Sequence, residues 1–153
     1  MRAENAGRES LPEIWKAIKS EFPYTKINEA DFLEKNGSGK TALYSIGKKE
    51  LQGFAEFELV SGESARLNVV FVKKKFRRKG NGLALLEHAK KELKKTGFRR
   101  IILVVEKGNS AAKGLYSKAG FGFRENFPHK INGKKAEKWE IGFPRLTKMA
   151  EKK

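Results

Sequence analysis

At 153 residues the chain is long enough for one ordinary domain and short for two. It has no cysteine and two histidines, which excludes disulfides, thiolate nucleophiles and thiolate metal sites, and leaves any zinc site to carboxylates that form no evident cluster. The formal charge of +16 points to anionic partners, while the lack of an apolar run of about 18 residues, or of an apolar core near the N-terminus, argues for a cytoplasmic protein with no membrane span or signal peptide.

The charge is unevenly spread: residues 1–72 carry net −1, residues 73–100 net +10 and residues 101–153 net +7. The excess therefore begins at a single stretch in the middle of the chain. A phosphorylated cofactor is one partner such a field would concentrate. Nucleic acid or a ribosome surface is another. A lysine-rich surface without a partner accounts for the charge outside the stretch equally well.

In chain order, residues 1–9 read as a flexible leader. Ser10 and Glu13 have the spacing of a capping box, and Leu11, Ile14, Trp15, Ile18 and Phe22 follow at helical spacing, so a first helix is expected up to about Glu21, before Pro23. A short helix is expected over 28–35, ended by Asn36-Gly37-Ser38-Gly39. Three strands follow, over 41–46, 51–60 and 65–72, joined by turns at Gly47 and Gly62 as an antiparallel meander. Strand alternation puts Phe54 and Glu56 on the face opposite Ala55 and Phe57.

The stretch from Val69 to Gly82 reads V-V-F-V-K-K-K-F-R-R-K-G-N-G, an apolar strand, a basic loop and two glycines opening a helix. Glycine lets backbone N–H groups approach an anion closely, and those groups at a helix N-terminus suit a pyrophosphate. Arg77, Arg78 and Lys79 add charge. An ordinary strand-to-helix turn with a solvated basic rim fits the stretch alone as well. The pattern G-x-x-x-x-G-K-[ST] is absent, and G-x-G-x-x-G fails after Gly82 at Leu83, Ala84 and Leu85.

A helix over 83–95 with Leu83, Leu86, Ala89 and Leu93 inward is expected to end at Gly97. The apolar run 101–105 reads as a strand buried on both faces, and strand–helix–strand in this order suggests a parallel crossover. Asn109 is placed to cap a helix over 110–118. Strands over 121–127 and 135–143 flank an Asn132-Gly133 turn. The domain is thus expected to span 10–146, with 147–153 a polar tail.

Two motifs carry a resemblance. Arg77-x-x-Gly80-x-Gly82 is similar to the coenzyme A pyrophosphate loop of the GNAT superfamily of N-acetyltransferases. Some 30 residues on, Asn109, Ala112, Leu115, Tyr116, Gly120 and Phe121 fall in register with that family's N-x-x-A-x-x-L-Y-x-x-x-G-F pattern after an apolar strand. The resemblance covers roughly residues 67–123. It implies a mixed α/β sheet of GNAT fold, with an antiparallel meander, a βαβ crossover and a C-terminal hairpin, and acetyl-CoA as cofactor. It also implies that the strand before the loop is bulged and splays from its neighbour.

The resemblance further implies that backbone groups of Val70, Phe71 and Val72 hold the coenzyme arm and the acetyl carbonyl. N–H groups from Arg78 through Lys79, Gly80, Asn81 and Gly82 to Leu83 would take the pyrophosphate. Asn109 would touch the arm, and Tyr116 would protonate the departing thiolate. The residue types suit the chemistry, since strand N–H groups stabilise an oxyanion and a tyrosine within reach donates a proton.

The general base is open. Glu56 and Glu58 share a face that points to the acceptor or to solvent, and Glu58 is the candidate base; Glu63 sits in a turn and Glu106 just beyond the buried strand. His88 reads as a helix-surface residue and His129 as a loop residue that could line the acceptor entrance. Ribosomal-protein N-terminal acetyltransferases carry a glutamate where this chain has Val104. The family usually begins with a strand, which the polar leader does not obviously supply; either the sheet lacks that edge or residues 24–27 take its place.

The expected function is acetyl transfer from acetyl-CoA to a primary amine, of a small molecule or a protein, by direct attack in a ternary complex. A polycationic acceptor is disfavoured by repulsion. The alternative is a basic module of the same fold, bound to nucleic acid or the ribosome, with little activity.

Overall fold

One seven-stranded sheet organises residues 2–23 and 25–143, which the computed structural model describes. The strands are β1 (Ala3–Asn5), β2 (Thr41–Ile46), β3 (Gly53–Leu59), β4 (Ser64–Val72), β5 (Arg100–Glu106), β6 (Gly122–Asn126) and β7 (Ala136–Gly142), and their order is β1-β2-β3-β4-β5-β7-β6. All neighbours are antiparallel except β4 and β5, the pair joined by the crossover helix. Helices α1 (Leu11–Glu21) and α2 (Glu29–Gly37) cover one face, α3 (Asn81–Lys95) and α4 (Ser110–Lys118) the other. The tail 147–153, residues 144–146 and Tyr24 lie outside the described residues. No helix among the described residues is long and apolar enough to cross a membrane.

The two faces have separate cores. Under α3 and α4 lie Tyr44, Phe57, Leu85, Leu86, Leu103 and Trp139; under α1 and α2 lie Ile14, Trp15, Phe32 and Phe54. Phe54 and Phe57 thus fall on opposite faces of β3, as alternation requires, and both are fully buried. Each such side chain contributes roughly 1.5–3 kcal/mol by leaving water. The second core takes Leu43 from β2, Phe54 from β3 and Val69 and Phe71 from β4, and nothing from β5. Strand β5 is therefore buried on one face only: Ile101, Leu103 and Val105 are buried, Ile102 and Val104 half-buried. This corrects the expectation that both faces are covered.

Local signals fared differently. Asn28 and Asn109 cap α2 and α4, accepting from the N–H groups of Asp31 (2.8 Å) and Ala112 (3.1 Å). Asn132 (φ 52°) and Gly133 (φ 75°) both adopt the left-handed conformation that a tight hairpin turn requires. The capping box at Ser10 does not form. Ser10 ends a short 3-10 turn, Arg8–Ser10, that runs straight into α1, so its backbone is helical rather than extended and its hydroxyl caps nothing. Glu13 instead accepts the Leu51 N–H at 3.1 Å.

The leader expectation also changes. Ala3–Asn5 pairs antiparallel with Tyr44–Ile46, supplying the first strand that residues 24–27 were expected to replace. Its polar character has a use: the Asn5 amide donates to Glu92 at 3.3 Å, and its oxygen lies 3.0 Å from His88 Nε2, tying the edge strand to α3.

Two buried carboxylates bind elements together. Glu56, 4% exposed, accepts from Lys35 (3.1 Å) and Asn36 (3.0 Å) on α2 and from Asn68 (3.0 Å) on β4. Glu137 accepts from the Trp139 indole (3.0 Å) and pairs with Lys113 of α4 (3.0 Å). Those hydrogen bonds, Trp139's first and then Lys113's, hold Glu137 below the usual carboxylate range.

Glu56→Ala strands three donors at once and is expected to cost about 3 kcal/mol in urea unfolding. Glu58→Ala, which breaks only an exposed pair with Arg66, should cost less than about 1 kcal/mol. Glu137 contributes stability that is present above the ordinary carboxylate value of about 4.3 and lost as pH falls through its lowered folded value. Thermal unfolding of Glu137→Gln should therefore lie below wild type at neutral pH and converge with it in acid; a constant gap across pH would contradict the assignment.

Candidate functional site

Strand β4 pairs with β3 along its length but with β5 only at Ser64–Arg66, opposite Arg100–Ile102. Beyond that point the two parallel strands part. The β3–β4 register shifts so that Val69 faces Glu56 and Leu67 faces Phe57, leaving Asn68 as the extra residue of a β-bulge. Lys73 N–H donates to the Gln52 carbonyl at 2.8 Å. By antiparallel alternation Phe71 then bonds to β3 as well, while the N–H and C=O groups of Val70 and Val72 turn toward the gap. Arg77 Nε takes the Val72 carbonyl at 2.7 Å, which leaves the other groups for a ligand or water.

The gap opens into a cavity of about 530 Å³ between α3 and α4, lined by Val70 and Val72, by Phe76 to Leu83 with Lys79 excepted, and by Ser110, Ala111, Gly114, Leu115 and Lys118. The loop from β4 to α3 is shaped for an anion. Arg78 (φ 63°) and Gly80 (φ 81°) have positive φ with Lys79 between them, an alternation that turns successive N–H groups to one side. Gly80 is the N-cap of α3, and the first intrahelical bond runs from Ala84 N–H to the Gly80 carbonyl. The N–H groups of the first turn are therefore free for an anion, at the positive end of a 15-residue helix. A Cβ at Gly82 would stand 3.3 Å from Leu115 and intrude on the junction of α3 and α4. The structure thus fits a phosphorylated ligand with an extended arm, its phosphates at the α3 N-terminus and its arm along Val70–Val72.

The residues singled out from sequence divide accordingly. Val70, Val72, Arg77, Arg78, Gly80, Asn81, Gly82 and Leu83 line the cavity. Phe71 does not; its side chain lies in the opposite core, 5.8 Å from the Phe54 ring. Arg77 reaches the rim with its guanidinium committed to the Val72 carbonyl, to Glu21 at 3.7 Å and to the Phe71 ring. The Asn81 amide donates to the Phe76 carbonyl at 3.0 Å and to Gln52 at 3.3 Å, so its side chain holds the loop and only its N–H remains for a ligand. The Asn109 oxygen is spent on the α4 cap.

Tyr116 follows Leu115 on α4 but is turned from the cavity wall toward the sheet, half-buried, with its ring 6.0 Å from Phe121. Burial raises its hydroxyl above the ordinary tyrosine value of 10.0, so the proton is retained at any physiological pH.

Among the described residues no carboxylate lines the cavity. Glu58, the candidate base, bridges to Arg66 at 3.0 Å, and Glu56 is consumed by three donors. His88 packs on Tyr44 at 5.4 Å, and His129 on Phe127 at 5.6 Å in the loop between β6 and β7. Sequence reasoning missed Glu137 and the anchoring role of Glu56. Glu137 had one legible signal, a carboxylate two positions from a tryptophan on an alternating strand.

Comparison with known proteins agrees with this geometry. The model of the acetyltransferase (GNAT) family matches residues 7–121. The [ribosomal protein bS18]-alanine N-acetyltransferase of Escherichia coli is 32% identical over 100 residues, 65% of this chain and 65% of the relative's length. Two solved structures share the fold. The ribosomal-protein-S18-alanine N-acetyltransferase of Escherichia coli has a TM-score of 0.75 at 24% identity, over 95% of this chain and 96% of that one. An aminoglycoside 6'-N-acetyltransferase complexed with coenzyme A has a TM-score of 0.79 at 17% identity, over 95% and 99%. With most of its length inside the family match, and the glycine loop facing Leu115 of the second motif across one cavity, the chain belongs to the acetyltransferase (GNAT) family, whose acyl donor is acetyl-CoA.

Proposed function

We propose that the protein transfers an acetyl group from acetyl-CoA to a primary amine by direct attack in a ternary complex. The observation that carries this reading is the parting of β4 from β5 beside a glycine-opened helix N-terminus, which offers unpaired strand groups and an anion site at the two ends of one cavity. Bound acetyl-CoA supplies an acyl thioester open to attack by an amine. The N–H groups from Arg78 to Leu83 hold the pyrophosphate, with the Arg78 charge beside them. The N–H groups of Val70 and Val72 direct the arm and polarise the carbonyl. The Tyr116 hydroxyl, kept protonated by burial, donates to the departing sulfur. No carboxylate is assigned as base, and the amine loses its proton to water. The names of the relatives favour a protein amine as acceptor, and contact of the basic face with a ribosome or nucleic acid accompanies that reading as a means of delivery.

Calorimetric titration with acetyl-CoA tests the cofactor site directly, and thiol release tests turnover without background because the chain has no cysteine. Tyr116→Phe should bind acetyl-CoA like wild type and lose about 10²-fold in kcat. Because its hydroxyl titrates above 10.0, wild-type kcat should show no descending limb from this group below about pH 10. Gly82→Val should fold and weaken acetyl-CoA binding by roughly tenfold or more, about 1.4 kcal/mol. Absence of saturable binding by wild type at moderate salt would sink the acetyltransferase reading and put the basic module first.

A further inference from the structure

Strand β4 presents a second concavity on its other face. Between α1 and the end of β4 lies a groove of about 450 Å³, bordered by Glu13, Lys16, Glu21, Phe71, Lys73 and Lys74. Its charges are not equally available. Glu13 accepts the Leu51 N–H at 3.1 Å, and Glu21 pairs with Arg77 at 3.7 Å. The ammonium groups of Lys16, Lys73 and Lys74 make no hydrogen bond or ion pair among the described residues, and none of the three residues lines the coenzyme cavity. The groove thus carries three cations without an ion-pair partner against two carboxylates, of which Glu21 is paired with Arg77 and Glu13 is held by the Leu51 N–H. Its apolar surface comes from Phe71 and Ala17, and the Phe71 ring meets Phe22 edge-on at 6.2 Å beside the groove.

We propose that this groove receives a polypeptide acceptor with acidic side chains within a few residues of the amine to be acetylated; the proposal rests on the acetyltransferase reading. The length of the groove favours a polypeptide. Its α1 wall runs from Glu13 to Glu21, about 12 Å at the helical rise, which an extended chain crosses in about four residues. Three free ammonium groups along that path complement carboxylates and repel a basic flank. The Phe71 ring gives the backbone of the acceptor an apolar surface. Because β4 is shared, a chain in the groove runs along the strand whose other side holds the acyl donor.

The test uses the full chain, acetyl-CoA and three hexapeptides that differ only in carrying aspartate, serine or lysine at positions two to four, with free glutamate as a small acidic amine. The expected order of kcat/KM is aspartate over serine over lysine, with roughly a tenfold step between the first two. Salt should compress that order. Lys73→Glu combined with Lys74→Glu should invert it while the acetyl-CoA titration stays unchanged. Equal rates for the aspartate and serine peptides, or an order indifferent to the double reversal, would overturn the proposal. Free glutamate used as well as the aspartate peptide would overturn its polypeptide part.

If no peptide turns over, anisotropy of a labelled aspartate peptide decides. Salt-sensitive binding lost on double reversal supports the groove, and no binding overturns it. Failure of acetyl-CoA to bind while the acidic peptide still binds through these lysines would bring down the acetyltransferase reading alone.

Discussion

The structure depends on one incomplete pairing. Strand β4 keeps its full ladder to β3 yet leaves β5 after Arg66, in the middle of a sheet where unpaired backbone groups are costly. What permits this is the other side of β4. The Asn68 bulge adds twist and redirects the strand, and Glu56 clamps the bulge by binding Asn68 together with Lys35 and Asn36 of α2. Helix α2, the bulge and the parting of the strands are thus one mechanical unit, with a buried carboxylate at its centre. Arg77 completes it from the far end by closing the Val72 carbonyl, so the open groups lie only along the stretch that a ligand can cover.

The crossover then follows from that gap. Because β4 and β5 diverge, the helix joining them starts beside the opening and not over a closed sheet. Its first turn faces the cavity with free N–H groups. Two left-handed residues, Arg78 and Gly80, bring the chain into the helix at that angle. Arg78 is the telling one, since a non-glycine residue pays about 1–2 kcal/mol there where the anion site needs the turn. Helix α4 closes the opposite wall, with Asn109 capping its N-terminus and Lys113, one turn on, bound to Glu137, and this fixes the rotation that sends Tyr116 toward the sheet.

Much of this was legible locally. The glycine loop, the Asn109 cap, the Asn132-Gly133 turn and the alternation around Phe54 depend on a few consecutive residues, and the structure realises each. What escaped depends on distant partners. Ala3–Asn5 looks like polar leader because its strand is held by His88 and Glu92, more than eighty positions away. Glu56 could be placed on a face by alternation, yet only the position of α2 decides between solvent and burial. The run 101–105 carries the composition of a doubly buried strand, and the α1–α2 layer simply stops at β4. Ser10 and Glu13 have the spacing of a capping box, but the 3-10 turn before them puts Ser10 into helical conformation and Leu51 claims Glu13.

The basic loop shows why net charge alone misleads about partners. Of its six cations, Lys75 pairs with Glu50 and Arg77 with Glu21, so part of the charge stiffens the loop internally and is not offered outward. The remainder is divided by geometry. Arg78 lines the cavity on one side of β4, Lys73 and Lys74 line the groove on the other, and Lys79 lies about 6 Å from the Phe76 ring. A featureless polyanion-binding surface would gather these charges on one face. Here a single loop of seven residues sends them to two concavities that share a strand, an arrangement suited to bringing two anionic ligands, a coenzyme and an acceptor, to opposite sides of the same backbone.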